Sequence, residues 1–340
     1  MENANRHPHR RHGGFVHRDA HGFLCGQRQE LAGLERPAQR GLLAGAQRVW
    51  NPCTGLGRRS WGQSRYSRRR DNALKSIQGI GLSEVISLYS GVQGDFMQLL
   101  FGQQIHVGGM GASLDLAERA GIAKGQKGID LCCCNGAGMR CLVRFREVAS
   151  MIGVDATEAV VERGRKRCRD EGLEDRIGFV AADACQSGLP TAGADFVWGE
   201  DAWCYVADKP KLISEAARLV HPGGVIAFSD WVEGPIELGD AEAQRFLGMM
   251  SFANVEDIPG YTRLLSENNC EVLVAEDTGR FPSYMDLYLK MIEMQLTYDV
   301  LATLAFRKDL LQTMVEGFRF LGEMACAHKV VQARFIARRK

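Results

Sequence analysis

The sequence predicts an α/β domain with a mostly parallel sheet that is covered by helices on both faces. Three observations lead to this fold class. Between residues 128 and 231, short apolar runs alternate with longer amphipathic ones. A glycine-containing turn follows the first apolar run, and acidic residues close the next two. Strands that alternate with helices of this length imply βαβ units and a parallel sheet buried on both faces, so we expect a Rossmann-like arrangement.

The first 75 residues differ in composition from the rest of the chain. They are rich in arginine, glycine, histidine and glutamine, contain few acidic residues and show no sustained apolar period. Such a segment is typical of a disordered basic extension, an organellar transit segment or sequence upstream of a mis-assigned start. We assign it no function and place the folded domain at residues 76–340.

Residues 76–123 are predicted to be helical. Residues 82–102 have helical apolar spacing interrupted by glycines, and residues 113–122 have the pattern of a short helix. Ser113 stands where an N-cap side chain would accept hydrogen bonds from the first-turn amides. We therefore expect a group of helices ahead of the first strand, one of them starting at Ser113.

Five apolar runs are predicted to form the strands of the sheet: residues 128–134, 149–155, 176–183, 194–199 and 223–231. The amphipathic stretches between them are predicted to be helices at residues 138–147, 157–172 and 208–220. After the fifth strand helical patterns dominate, including an insertion at about residues 235–268. Residues 330–338 are then predicted to form a last, antiparallel strand.

Composition limits the class of partner and the compartment. The formal net charge of +1 gives no indication of nucleic acid or an anionic membrane surface. No apolar run approaches the roughly 20 residues that span a bilayer. The eleven cysteines follow no disulfide spacing, and the consecutive Cys132, Cys133 and Cys134 cannot all pair with one another. We expect a reducing, cytoplasmic setting and no metal site.

Polar markers stand at the carboxyl ends of the first three predicted strands. The turn DLCCCNGAG, residues 130–138, contains Gly136 and Gly138, which let the backbone approach a ligand closely. Asp155 closes the second strand, where a carboxylate accepts both hydroxyls of a ribose. Asp183 closes the third, within reach of an adenine amine. Because open parallel sheets bind ligands at this edge, the sequence predicts a site for an adenosine-containing cofactor.

The turn also distinguishes between cofactors. A dinucleotide requires G-x-G-x-x-G to present amides to a pyrophosphate. Here Cys132 and Cys134 occupy the first glycine positions, and no basic residue lies in the turn. This favours S-adenosylmethionine over NAD. We expect the turn to tolerate the two cysteines if neither position needs a positive φ.

These segments resemble the class I methyltransferases. DLCCCNGAG resembles their first motif, D-x-G-x-G-x-G, and GVDAT, residues 153–157, resembles their acidic ribose-binding motif. Residues 197–231 resemble the fourth-strand motif, helix and fifth strand of the small-molecule N-methyltransferases. That branch includes the sarcosine/dimethylglycine and phosphoethanolamine methyltransferases. The resemblance runs from about Leu88 to the C-terminus.

The resemblance implies S-adenosylmethionine as the cofactor and a helical lid, residues 76–123, that folds over it. Tyr89 precedes FGQQIHVGGMG, residues 101–111, with the spacing of that branch, and would be a lid and active-site residue. The expected cofactor-binding residues are Ile105, His106, Val107, Gly108, Asp130, Cys132, Cys134, Gly136, Gly138, Asp155, Ala156, Asp183, Ala184 and Glu200.

Two departures from the branch bear on the acceptor. The phosphobase enzymes have D-A-I-L-H after strand four, whereas this chain has DAWCY at residues 201–205. Tyr205 thus stands where a histidine base would be. Residues 246–255, FLGMMSFANV, carry methionines and phenylalanines where those enzymes hold a substrate phosphate with tyrosine and arginine. A phosphorylated amine is therefore disfavoured.

We predict a methyltransferase that acts on a small-molecule acceptor, most simply an amine methylated on nitrogen. Asp201 is expected to orient the acceptor, and Tyr89 and Tyr205 to hydrogen-bond it or accept its proton. The expected substrate contacts are Trp203, Trp231, Phe246 and Met250. A C- or O-methyltransferase of an apolar natural product remains an alternative, as do a non-catalytic cofactor-binding protein and a soft-metal site at the cysteine run. Neither nucleic acid nor membrane is an expected partner, and the pattern predicts no particular oligomeric state.

Overall fold

The computed structural model describes residues 74–340. Residues 1–73, which include almost all of the predicted basic extension, lie outside the described part. Within the described part, no helix is both long enough and apolar enough to cross a bilayer.

A seven-stranded sheet forms the centre of the domain. Its strands are β1 (Lys127–Leu131), β2 (Ser150–Asp155), β3 (Ile177–Ala181), β4 (Ala194–Glu200), β5 (Val220–Glu233), β6 (Cys270–Asp277) and β7 (Val330–Arg339). Their order in space is β3-β2-β1-β4-β5-β7-β6, with the first five parallel and β7 antiparallel to both of its neighbours. The order reverses beside β1, so the carboxyl ends of β1, β2 and β4 surround one crevice. The predicted Rossmann-like fold class is confirmed, including its antiparallel last strand.

One strand lies where the sequence predicts helix. β6 pairs with β7 along its whole length, so β7 lies inside the sheet between β5 and β6 and does not close its edge. The β6 sequence, CEVLVAED, is short and ends in two acidic residues. A run of this length gives a weak periodic signal by itself. Its partner strand follows much later in the chain, so the strand is stabilised by tertiary pairing.

Helices cover both faces of the sheet. They are α1 (Leu82–Ser90), α2 (Val92–Phe101), α3 (Gly109–Arg119), α4 (Ala137–Phe145), α5 (Glu158–Asp170), α6 (Lys209–Leu219), α7 (Asp240–Met250), α8 (Ile258–Glu267), α9 (Phe281–Lys290), α10 (Thr297–Thr303) and α11 (Lys308–Cys326). One apolar cluster joins α6 and α8 to one face of the sheet, where Val197 of β4 points. A second joins α3, α4 and α5 to the other face, where Phe196 and Trp198 point. Because successive side chains alternate, β4 is apolar on both faces.

The helix that carries Ser113 begins at Gly109, so the predicted N-cap is wrong. Ser113 lies inside α3 and is buried. Its hydroxyl accepts a hydrogen bond from Gln104 Nε2 at 2.8 Å and lies 3.1 Å from His106 Nε2. The helix instead starts after Gly108, whose φ of +100° redirects the chain without any side-chain cap.

Two parts of the chain lie near the crevice beside the sheet. α1 and α2, which fall in the predicted lid, are separated at Gly91, and α1 contributes Tyr89 to the crevice. α7 and α8 fall in the predicted insertion. The two-residue strands Lys75–Ser76 and Asn254–Val255 pair antiparallel and tie the start of the described chain to this insertion.

Candidate functional site

A cavity of about 230 Å³ opens at the carboxyl ends of β1, β2 and β4. Its walls come from α1, from the segment between α2 and α3, and from the turns that follow the strands. Most of the predicted site residues line it: Tyr89, Ile105, His106, Asp130, Cys132, Cys134, Gly138, Asp155, Ala156, Asp183, Ala184, Glu200, Asp201 and Tyr205.

Asp155 presents a carboxylate to this cavity from the end of β2. Its Oδ2 accepts from Cys134 N at 2.9 Å, and its Oδ1 accepts from Thr157 N at 2.8 Å. These bonds fix the carboxylate and leave its other lone pairs available to a ligand. Burial raises the pKa of Asp155, while the two backbone N–H groups oppose that shift. The arrangement suits a ligand that donates two hydrogen bonds, as the hydroxyls of a ribose do.

The turn after β1 needs left-handed backbone at both of its unusual cysteines. Cys132 has φ +62° and Cys134 has φ +47°. The condition under which the turn was expected to tolerate the cysteines is therefore not met, since both positions have a positive φ. The chain turns here from β1 into α4 while Cys134 N reaches back to Asp155. A left-handed residue with a side chain costs roughly 1–2 kcal/mol, so the turn is kept at a cost in stability.

We expect Cys134→Gly to raise the free energy of unfolding by about 0.5–1 kcal/mol. Glycine adopts the left-handed region without strain, although it loses more entropy on folding. Denaturant unfolding measures the change. Cys133→Gly is the matched control, because Cys133 is buried in the core and its truncation is expected to lower stability. Equal losses in the two variants would contradict the strain argument.

The two glycines of this turn have different roles. Gly138 lines the cavity, and a Cβ there would lie 2.3 Å from Glu200 Oε2. Gly136 caps α4 with φ +73°, and a Cβ there would lie 2.6 Å from the Phe179 ring. Gly136 does not line the cavity. Position 136 is a glycine because the backbone there is left-handed and a Cβ would collide with Phe179. The predicted contact with the cofactor is not its role.

The thiols around the cavity are protonated at neutral pH. Burial raises the pKa of Cys134 and of Cys185, each to about 12. Across residues 74–340, no group of three histidine, cysteine or acidic side chains is placed to hold a metal ion. Because burial also raises the pKa of Cys132, the thiols of the cysteine run that line the cavity contribute neutral, polarisable surface to it.

Asp201, directly after β4, accepts hydrogen bonds from three separate parts of the chain. Its Oδ2 accepts from Val107 N at 2.8 Å, in the segment between α2 and α3. On β5, Ser229 Oγ donates to its Oδ1 at 2.6 Å and Trp231 Nε1 to its Oδ2 at 3.2 Å. On β7, Gln332 Nε2 donates to the two oxygens at 2.9 and 2.7 Å. Asp201 thus fixes the segment between α2 and α3 to the sheet.

Val107 and Gly108 anchor this segment and do not line the cavity, in contrast to the prediction. Val107 is fully buried, and its carbonyl oxygen accepts from Gln332 Nε2 at 3.0 Å. A Cβ on Gly108 would lie 2.6 Å from the Cβ of Ala112. The core and α3 occupy the space around these two residues, and the same segment reaches the cavity through Gln103, Gln104, Ile105 and His106.

A second, small cavity of about 10 Å³ adjoins the first. The residues that line both are Tyr89, Ile105, His106, Asp201 and Tyr205. The remaining wall of the small cavity is apolar and consists of Met97, Phe101, Trp231, Met250 and Phe252. The Tyr89 and Tyr205 rings meet edge to face with centroids 5.3 Å apart. Burial raises the pKa of both phenols, so both hydroxyls stay protonated at neutral pH.

Two of the predicted substrate residues lie in the core. Trp203 is fully buried, stacks on Phe228 with ring centroids 4.0 Å apart, and donates from Nε1 to Leu131 O at 3.2 Å. Phe246 is fully buried and packs edge to face on Phe252. Neither lines either cavity, because each aromatic ring completes the packing beneath the site. Trp231 and Met250 do reach the small cavity.

A buried polar network holds the turn that carries Tyr205. Asp230 Oδ1 accepts from Cys204 N at 2.9 Å, and its Oδ2 accepts from the Tyr261 hydroxyl at 2.6 Å. Lys209 Nζ donates to the carbonyl oxygens of Cys204 and Val206. Burial raises the pKa of Asp230 to about 6, against the opposing effect of Lys209. The network fixes the backbone on both sides of Tyr205.

The main cavity is acidic. Six acidic side chains line it: Asp130, Asp155, Asp183, Glu200, Asp201 and Asp208. Within the described part of the chain, no lysine or arginine lines it. Burial, with the nearby charges of Glu200 and Asp155, raises the pKa of Asp130. Such a lining suits a cationic or neutral ligand and disfavours a phosphate.

Two residues of the site, Gln332 and Asn135, were not predicted from the sequence. Gln332 reaches Asp201 from the last strand, and nothing near it in the sequence indicates that contact. Asn135 lines the main cavity, and its Oδ1 is buried without a hydrogen-bond partner. Its place inside the glycine-containing turn is the one signal that could have indicated it.

The match to a family model decides what kind of domain this is. The model of the methyltransferase domain matches residues 129–228, which run from β1 through β5 and include every strand end around the main cavity. The chain carries a methyltransferase domain.

The methyltransferase domain is similar to several known proteins. Methyltransferase GfsG of Streptomyces halstedii is 28% identical over 166 residues, which are 48% of this chain and 59% of that protein. Dimethylglycine N-methyltransferase of Parasynechococcus marenigrum is 35% identical over 120 residues, 35% of this chain and 41% of that protein. A structure of phosphoethanolamine N-methyltransferase 2 of Haemonchus contortus, in complex with phosphomonomethylethanolamine and S-adenosylhomocysteine, has a TM-score of 0.67 at 20% identity, covering 75% of this chain and 59% of that one. The chain spans less than two thirds of the length of each of the three.

Proposed function

We propose that this chain is an S-adenosylmethionine-dependent methyltransferase that methylates the nitrogen of a small-molecule amine. The observation that carries the proposal is the ring of carboxylates at the strand ends, around a cavity whose described lining has no lysine or arginine. A phosphate-bearing dinucleotide would lack a counter-charge there, whereas a sulfonium cation is compatible with an acidic lining. The match to the methyltransferase domain supports the same cofactor.

The residues around the cavity fit S-adenosylmethionine at both ends. Asp155 has lone pairs left to accept from the ribose hydroxyls. Asp183, beyond the end of β3, would accept from the adenine amine. Asn135 Oδ1, buried and unpaired, would accept from the amino group of the methionine moiety. A buried acceptor without a partner costs stability, so a ligand donor there contributes binding energy.

The chain's own part in the reaction is to position the acceptor and to exclude water. The bound cofactor supplies a methyl group on a sulfonium, ready for in-line displacement. Holding the nucleophile in line with the methyl group can lower the activation barrier by about 7–11 kcal/mol. Asp201 fixes the segment between α2 and α3 beside the cavity, and Tyr89 packs against Tyr205. The protonated phenols would donate hydrogen bonds to the acceptor, and Trp231 contributes to the wall of the small cavity.

An apolar acceptor methylated on carbon or oxygen is the second candidate. The observation that favours it is the apolar part of the small cavity wall, formed by Met97, Phe101, Met250 and Phe252. The described lining of this cavity also offers no cation to a phosphorylated acceptor.

Calorimetry and isotope transfer test the proposal. The full chain is titrated with S-adenosylmethionine and with NAD. Tritium transfer from S-adenosyl-[methyl-³H]methionine is then measured with dimethylglycine, phosphoethanolamine, tryptamine and a phenol. Binding of S-adenosylmethionine with transfer to an amine supports N-methylation, and transfer to the phenol alone favours the second candidate. Binding without transfer to any acceptor points to a non-catalytic cofactor-binding protein, and preference for NAD overturns the proposal.

We expect Tyr205→Phe to lower kcat by about 10–100-fold and to change the Kd for S-adenosylmethionine by less than about threefold. The Tyr205 side chain lines both cavities and packs on Phe252 in the wall of the small one, where we place the acceptor, so we expect turnover to depend on its hydroxyl more than cofactor affinity does. Steady-state kinetics and calorimetry measure the two effects. Tyr298→Phe, at an exposed tyrosine, is the matched control and should change neither. Equal losses in turnover and cofactor affinity would remove Tyr205 from the acceptor site.

A further inference from the structure

Arg140, on α4, is a buried cation that the proposed reaction does not use. It is 4% exposed and lines neither cavity. Glu171, directly after α5, supplies its counter-charge, with Glu171 Oε1 3.0 Å from Arg140 Nε. Burying a charge is costly unless the charge is paired and its other polar atoms are hydrogen-bonded. The partners of the two remaining nitrogens therefore indicate what this arginine does.

The two terminal nitrogens of Arg140 join the turn after β1 to the segment between α2 and α3. Nη1 donates to Asn135 O at 2.7 Å, and Nη2 donates to Gln103 Oε1 at 2.6 Å. A guanidinium only donates hydrogen bonds, so the oxygen of the Gln103 amide must be the atom that faces it. Because the guanidinium is a rigid, planar fork, it fixes these two oxygens relative to each other.

Asn135 makes a second connection between the same two parts of the chain. Its Nδ2 donates to Gln103 O at 3.2 Å, and since a carbonyl oxygen only accepts, Oδ1 is the free end of this amide. Asn135 is 2% exposed and lines the main cavity, and its Oδ1 is buried without a partner. One end of the side chain thus holds Gln103, and the other is left for a ligand that donates a hydrogen bond.

The cavity wall next to Gln103 is held at both of its ends. Residues 104–106 line the main cavity. On one side, Arg140 and Asn135 hold Gln103. On the other side, Asp201 accepts from Val107 N at 2.8 Å. A shift of Gln103 would therefore move this wall of the cavity as well as the Asn135 amide.

We propose that Arg140 is a positioning residue for the amino-acid end of the cofactor, and this inference rests on the proposed function. Arg140 contacts no reacting atom and acts through Asn135 and Gln103. It holds the turn and the segment together, so that Asn135 Oδ1 stays in place to accept from the amino group of the methionine moiety. The adenosine end, which Asp155 and Asp183 would hold, does not depend on it.

Two ligands separate this role from a general effect on the fold. S-adenosylhomocysteine has the amino-acid end, whereas 5′-methylthioadenosine has the same adenosine and a thioether without it. The Kd of the full chain for each is measured by calorimetric titration. We expect Arg140→Met to raise the Kd for S-adenosylhomocysteine by about 10–100-fold and the Kd for 5′-methylthioadenosine by less than about threefold.

Two further substitutions on α4 complete this experiment. Arg140→Lys keeps a charge beside Glu171 but not the planar fork, so it should show the same selective loss, and it replaces Arg140→Met if that variant does not fold. Arg144→Met is the matched control. It removes the arginine one turn further along α4, which also bonds Glu171, and should change neither Kd.

A double-mutant cycle tests whether Arg140 acts through Gln103. Gln103 is exposed, so Gln103→Ala leaves the core intact. We expect this substitution to raise the Kd for S-adenosylhomocysteine by about 3–10-fold in the wild-type background and to have little further effect in Arg140→Met. Gln312→Ala, at an exposed glutamine of α11, is the matched control and should change neither Kd.

The possible results distinguish this inference from the proposed function. Additive losses in the cycle would mean that Arg140 and Gln103 act on the ligand separately, and would overturn the role of Arg140. Equal weakening of the two ligands, or no weakening of either, would overturn it as well while leaving the proposed function intact. If the wild-type chain binds neither ligand, the proposed function itself fails.

Discussion

We expect Asp155→Ala to weaken the binding of S-adenosylmethionine by a factor on the order of 10²–10⁴. The carboxylate has lone pairs for two ribose hydroxyls, and hydrogen bonds to a charged group contribute roughly 1.5–3 kcal/mol each. The substitution also removes the acceptor for Cys134 N and Thr157 N, which shapes the turn beside the ligand. Calorimetric titration measures the affinity.

The binding experiment has a control at an exposed aspartate outside the cavity. Asp170→Ala removes an exposed carboxylate at the end of α5, where it forms an ion pair with Lys166, and should leave affinity unchanged. Binding by Asp155→Ala within about threefold of the wild type would show that the ribose lies elsewhere. The affinity of the wild type should also fall in acid, and at a higher pH than for an ordinary aspartate, because burial raises the pKa of Asp155 and the ionised form is the one that accepts.

We expect Asp201→Ala to lower the free energy of unfolding by about 3–5 kcal/mol. The substitution leaves donors on Val107, Ser229, Trp231 and Gln332 without an acceptor in a buried place, and each such loss costs about 1–3 kcal/mol unless water replaces it. In a domain of this size the midpoint of thermal unfolding should fall by roughly 10 °C. Thermal and denaturant unfolding without ligand measure both quantities.

Asp208→Ala is the matched control for Asp201→Ala. Asp208 caps α6 by accepting from Lys211 N, so its loss should cost only about 1 kcal/mol. If Asp201→Ala destabilised the chain no more than this control, the carboxylate would not be the anchor of the segment between α2 and α3. Such a result would favour the predicted role of Asp201, a direct contact that orients the acceptor.

Local patterns were sufficient for the parallel sheet and for the place of the cofactor site. β1 to β5 are short apolar runs separated by amphipathic helices, and a strand buried on both faces has that composition wherever it packs. Asp155 and Gly138 could be placed because the end of a parallel strand and the turn after it are defined by neighbouring residues. β6 could not, because its stability comes from pairing with β7, far away in the chain.

The roles of individual side chains around the site depended on contacts between distant segments. Trp203 follows a strand end, which suggests a ligand contact, yet its ring fits the core against Phe228. Asp201 has the position of a substrate-orienting carboxylate, yet donors from β5, β7 and the segment before α3 converge on it. His106 and Glu200 are distant in sequence and meet only in the folded chain.

The sequence by itself determined the alternation of strands and helices, the crevice beside β1 and the acidic residues at the strand ends, because each follows from periodicity and from residues a few positions apart. The tertiary structure alone decided which of those residues face a ligand, which face the core, and that Cys132 and Cys134 must adopt a positive φ. Burial and hydrogen-bond partners depend on segments brought together by folding. No local sequence pattern predicts which distant donor will form a hydrogen bond to a given carboxylate.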